Sequence, residues 1–109
     1  MIVAIFRARI RQELTEEYYR RADEMAAIAT TMPGFLSYKA YTAPDGERVS
    51  IHEWESAEHL KAWREHPEHR QMQSYGRENF YLEYTLYVCD EPRESRFVLE
   101  KVLTRDFTE

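Results

Sequence analysis

His59, Trp63 and His66 fall at positions i, i+4 and i+7, so on a regular helix they form one stripe with the indole between two imidazoles. Histidine, with an unperturbed pKa of about 6.5, accepts a proton close to neutral pH, and an indole N–H can hold an oxygen on which negative charge develops. The stripe therefore suits removal of a proton from an acidic O–H or C–H group. His52 and Trp54 point to one strand face, and Tyr38 and Tyr81 belong to strands expected to flank a cavity, so these four are candidate ligand-binding residues. Each candidate has a plainer reading. Trp63 would be core, His59 and His66 a solvated helix edge, His52 and Trp54 an interface, and the tyrosines packing. His66-Pro67-Glu68-His69 gathers two imidazoles and a carboxylate, but a catalytic zinc needs converging ligands and Pro67 breaks the helix that would align them, so no metal is expected. Gly34, Gly46 and Gly76 are isolated and build no phosphate-cradling loop.

Alternating apolar residues make a half-buried strand of residues 2–11, where Ile2, Ala4, Phe6, Ala8 and Ile10 share one face. Leu14, Tyr18, Ala22, Met25, Ala29 and Met32 recur at helical spacing, with Glu16 and Glu17 where a helix N-terminus favours negative charge. Pro33-Gly34 ends that helix. Strands near 35–42 and 47–55 follow, joined by the turn-forming Ala43-Pro44-Asp45-Gly46. Ser56 supplies an N-cap for a second helix bearing Leu60 and Trp63, which His66-Pro67 interrupts and Pro67 restarts at an angle, to run as far as Gly76. A last strand spans about 79–89, with Phe80, Leu82, Tyr84, Leu86 and Val88 on one face and Tyr81 on the other. The order is βαββαβ, an α+β fold of ferredoxin-like architecture with an antiparallel sheet. The chain is expected to form a single domain over 1–109, with its core in about 1–90 and a C-terminal extension, 91–109, whose apolar stretch from Phe97 to Leu103 needs a surface to cover.

A formal net charge of −5 argues against a nucleic-acid partner. Arg7, Arg9 and Arg11 make a local basic stripe, but Glu13, Glu16 and Glu17 follow at once and a solvated face results. The lone Cys89 fits a reducing cytoplasm, and no targeting or membrane-spanning segment is evident, so a cytoplasmic location without membrane association is expected. Eight Tyr, five Phe and two Trp exceed what a 109-residue core encloses easily, which suits a homodimer interface or a ligand cavity.

Met32-Pro33-Gly34-Phe35 at the first helix exit, Glu53-Trp54-Glu55-Ser56 at the end of the third strand and Trp63 one helix face later, in a βαββαβ chain, resemble the antibiotic biosynthesis monooxygenase family over about residues 1–90. The resemblance implies a homodimer whose two sheets pack face to face into a dimeric α+β barrel, with a cavity between sheet and helices in each subunit. It also implies no cofactor for the branch that oxidises phenolic polyketides, in which an Asn and a Trp one helical turn apart precede a Tyr. Trp63 matches the Trp, while His59 stands at the Asn and His69 near the Tyr, which adds His69 to His59, Trp63 and His66 as a candidate catalytic residue. The haem-degrading branch places an Asn at or near Phe6 and a His at or near Gln73, so haem degradation is a weaker alternative. The expected function is cofactor-independent oxidation of a small aromatic or enolisable metabolite, in which a base removes a proton and the anion reacts with O2. An isomerase using the same proton chemistry and a non-catalytic ligand-binding dimer are the alternatives.

Overall fold

The computed structural model describes residues 1–99. Its elements in chain order are β1 (Ile2–Ile10), a 3₁₀ turn (Gln12–Leu14), α1 (Thr15–Ala29), β2 (Phe35–Thr42), β3 (Arg48–Trp54), α2 (Ala57–Arg64), α3 (Pro67–Tyr75), a π-helical turn (Gly76–Phe80) and β4 (Tyr81–Asp90). The strands form one antiparallel sheet in the order β2-β3-β1-β4, the arrangement that βαββαβ connectivity gives when each crossover carries helices to the same face.

Local chemistry sets the element ends. The first helix stops at Ala29, short of the Met32 that periodicity suggests, because the Thr30 and Thr31 hydroxyls donate to the carbonyls of Ala27 and Ile28 at 2.8 and 2.7 Å and the chain then turns through Pro33. Gly34 has φ +82°, and a Cβ there would collide with the His59 ring, so glycine is required both for the turn and for the close approach of α2. The β2–β3 turn is closed by Ala43 N–H to Glu47 O at 2.8 Å and by Glu47 N–H to the Asp45 carboxylate at 3.0 Å.

Two irregularities change which side chains share a face. Between Arg9 and Ile10 the β1–β4 register shifts from Arg9↔Glu83 to Ile10↔Tyr81, which leaves Leu82 as an extra residue on β4. Such a bulge reverses the alternation. Tyr81 therefore lies with Tyr84 and Phe6, at ring distances of 5.3 and 5.5 Å, on the helix side of the sheet and not on the opposite face that strict alternation over 79–89 implies. The strand also begins at Tyr81, because Phe80 is taken into the π-helical turn and is fully buried. A similar shift between Phe35 and Ser37 puts both Phe35 and Tyr38 on the helix side.

The core has two parts. Ile2, Ala4, Ala29, Trp54, Leu60 and Trp63 pack at one end, and Tyr18, Met72 and Phe80 at the other, with Met25 touching both. Beyond β4, residues 92–99 have no regular secondary structure, so the Phe97–Leu99 part of the expected apolar tail is neither strand nor helix. Val102 and Leu103 lie outside the described residues.

Candidate functional site

Small residues make room under the helices. Ala4 on the central strand and Ala22, Ala26 and Ala29 on α1 line a cavity of about 280 Å³ between sheet and helices, where larger aliphatic residues would have closed the gap. That volume sits at the lower end for ligand pockets, which run from roughly 300 Å³ upward. The lining is mainly apolar and aromatic, with Ser50, His52, Arg64, His69, Gln73, Arg77 and several tyrosines as its polar groups. Along β4, Tyr84, Leu86 and Val88, which line the cavity, remain 42–48% exposed.

The stripe of His59, Trp63 and His66 forms only in part, with the His66 ring 5.9 Å from the Trp63 ring and tilted by 45° to it. Helix α2 ends at Arg64, and His66 becomes the N-cap of α3, its Nδ1 accepting from the Glu68 N–H at 3.2 Å. His59 is held by the Ser56 hydroxyl at 2.8 Å and packs over Gly34. Neither imidazole lines the cavity. The physical reason is the break at Glu65–Pro67, which redirects the chain so that His69, one turn into α3, stacks on Trp63 with ring centroids 4.3 Å apart and planes at 10°. Trp63 stacks in turn on Trp54 at 6.3 Å and 20°.

His52 enters from the sheet. It pairs with Ala4 on one side and Tyr38 on the other, and the Trp54 indole N–H donates to its Nδ1 at 2.8 Å. His69 is held through Nδ1, 3.2 Å from the Trp63 carbonyl oxygen. Burial pushes both imidazoles down to about 4, helped at His52 by the nearby His69 and at His69 by His66 and Arg64, while the hydrogen bond to the Trp63 carbonyl partly opposes the shift of His69. Both are neutral at pH 7. Burial likewise pushes the Tyr18 and Tyr81 hydroxyls up, so each remains a proton-bearing donor.

Of the eight residues singled out from sequence, six line the cavity: Trp63, His69, Tyr38, His52, Trp54 and Tyr81. Sequence reasoning passed over Ser50, a buried polar residue two positions before His52 on the same strand face. Strand alternation was the available signal. Arg64 and Arg77, at the cavity edge, carried no sequence signal beyond their charge. Among the described residues, no three His, Cys, Asp or Glu side chains converge as a metal site, and no helix is long and apolar enough to cross a membrane.

A four-stranded antiparallel sheet with its helices on one face and an aromatic cavity between the layers defines a ferredoxin-like α+β fold. The model of the antibiotic biosynthesis monooxygenase family matches residues 1–75, and the chain belongs to that family. It is 28% identical over 94 residues to the uncharacterized protein YqjZ of Bacillus subtilis, a match covering 86% of this chain and 82% of that one. Among solved structures it is similar to Rv0793 from Mycobacterium tuberculosis, with a TM-score of 0.78, 21% identity, and 87% of this chain and 98% of that one covered. It is also similar to SnoaB, a cofactor-independent oxygenase from Streptomyces nogalater, with a TM-score of 0.73, 14% identity, and coverage of 85% and 94%. At those identities the structural likeness speaks for the fold alone.

Proposed function

We propose that the chain is a cofactor-independent monooxygenase that oxidises a small aromatic or enolisable metabolite, with His69 as the base. The observation that carries this reading is a half-buried imidazole stacked on Trp63 in a mainly apolar cavity, in a chain of this family. The Nε2 of His69 takes a proton from the activated O–H or C–H of the ligand. The resulting anion transfers electrons to O2 and forms the C–O bond of a peroxide anion, which the imidazolium protonates to a hydroperoxide. Loss of water then leaves a carbonyl, so that one ligand methylene and one O2 give one carbonyl and one water.

Desolvation makes His69 a weak base when no charge lies beside it, but an anion forming in the same low-dielectric cavity favours the imidazolium and raises its proton affinity as the transfer proceeds. The proton therefore moves only when the ligand is in place. Phe6 and Gln73, where the resemblance sets the haem-degrading branch's Asn and His, both line the cavity, which favours an organic ligand over haem. Oxygen uptake with a panel of phenols and anthrones tests the proposal. One O2 consumed per ligand is expected, with a loss of roughly a hundredfold or more in rate for His69→Gln. Ligands that raise the melting temperature without oxygen uptake would turn the reading to a non-catalytic binder, and anaerobic deuterium exchange alone would turn it to an isomerase.

A further inference from the structure

The two cavity histidines are held by partners of opposite kind. An indole N–H can only donate, so the Nδ1 of His52, 2.8 Å from the Trp54 Nε1, is the unprotonated nitrogen and the ring carries its hydrogen on Nε2. A backbone carbonyl can only accept, so the Nδ1 of His69, 3.2 Å from the Trp63 oxygen, carries the hydrogen and leaves Nε2 with a lone pair. The Gln73 amide nitrogen also approaches that Nδ1, at 3.5 Å, but it is the more distant neighbour and its amide can turn, whereas the carbonyl, which also accepts from the His66 N–H at 3.1 Å, can only accept. The side-chain hydrogen bonds of both rings run through Nδ1, and both rings line the cavity.

We infer that the cavity presents an acid–base pair of neutral imidazoles locked in opposite tautomers, His52 as an Nε2–H donor set by Trp54 and His69 as an Nε2 acceptor set by the Trp63 carbonyl. Trp54 is then a positioning residue. Its ring is fully buried in the core, and its one polar atom fixes which nitrogen of His52 bears the proton. A pair of this kind complements a ligand that gives up a proton at one atom while a neighbouring oxygen receives a hydrogen bond, which is what enolisation of a carbonyl compound requires. A ligand with acceptors only, or donors only, would leave one imidazole unmatched in a desolvated site.

The tautomers can be read with no substrate and no turnover, so the result stands apart from the oxygenase proposal. Long-range proton–nitrogen correlation spectra of the full chain, labelled with nitrogen-15 and held at pH 7, are expected to show the Nε2–H pattern for His52 and the Nδ1–H pattern for His69. Trp54→Phe should abolish the pure Nε2–H pattern of His52 and leave His69 unchanged. Trp63→Phe should leave the His69 pattern in place, because the group that fixes it is a backbone carbonyl. The same tautomer for both rings in the wild-type spectrum overturns the inference even if neither variant folds, and so does a His52 ring indifferent to Trp54→Phe.

Discussion

At the scale of single residues, Trp63 joins two roles that sequence spacing sets against each other. It is only 4% exposed and belongs to the core cluster with Ile2, Trp54 and Leu60, yet it also lines the cavity and stacks on His69. Trp63→Phe should therefore lower stability by roughly 1 to 2 kcal/mol, as imperfect aromatic swaps do, and also weaken ligand binding by removing the indole N–H. Thermal melts with and without ligand would measure both effects, and a loss of one alone would assign the residue to a single role. The two histidines make a separate prediction about pH. Their folded pKa values of about 4 lie below the unfolded value of about 6.5, so between these limits the unfolded chain binds more protons than the folded one. Stability is then fully present above pH 6.5 and falls as pH drops towards 4, by an amount on the order of 3 kcal/mol for each imidazole, less in sum because the two charges interact. Denaturant melts across that range should show the decline, and His52→Gln with His69→Gln should flatten it.

At the scale of elements, most strands and helices were legible because their signals are local. Ile2 to Ile10 alternate, Ser56 caps α2 by accepting from the His59 N–H, and Pro44-Asp45-Gly46 fits only a turn. The candidate site was less legible because its geometry depends on breaks in that regularity. Spacing by four and seven assumes one continuous helix, and the break before Pro67 leaves His66 tilted at 5.9 Å from Trp63 and stacks His69 on it at 4.3 Å. Alternation assumes an unbroken ladder, and the bulge that leaves Leu82 unpaired brings Tyr81 to the cavity. The bulge depends on pairing between distant strands, which no window along the chain contains, and although the break at Pro67 is a local signal, the stacking of His69 on Trp63 that it allows is not. His66 accordingly has a structural task, and His66→Ala should cost about 1 kcal/mol through loss of the cap on α3 while leaving turnover per folded molecule intact. Gly34→Ala should cost about 2 kcal/mol or more, since a left-handed backbone and contact with His59 act together, and urea melts of the two variants would rank them.

At the scale of the whole molecule, the subunit carries more apolar surface than its own core uses. On the sheet face away from the helices, Val3, Ile5, Val49, Ile51, Tyr41 and Tyr87 lie on neighbouring strands, with Tyr41 52% and Tyr87 47% exposed. Two of the cations on that face, Arg7 and Arg9, are paired with Glu47, Asp45 and Glu83 at 2.9–3.2 Å, which lowers the cost of bringing a second surface against them. The Cα radius of gyration is 16.2 Å, against about 13 Å for a compact chain of this length, and Phe97 is 85% exposed on the segment that follows β4. Exposed apolar residues from Phe97 to Leu99 and an uncovered apolar sheet face suit pairing with a second copy of the chain. We therefore expect sedimentation to give twice the 13.2 kDa chain mass at micromolar concentration. Ile5→Glu, at the centre of the face and paired with Ile51 and Tyr87, should shift the protein to monomer by burying an unpaired carboxylate. Ending the chain after Pro92 should weaken association by about tenfold, a change of about 1.4 kcal/mol, if the Phe97 segment reaches the partner. A wild-type protein that sediments as a monomer at that concentration would end the expectation, whereas a dimer indifferent to the truncation would confine the interface to the sheet face.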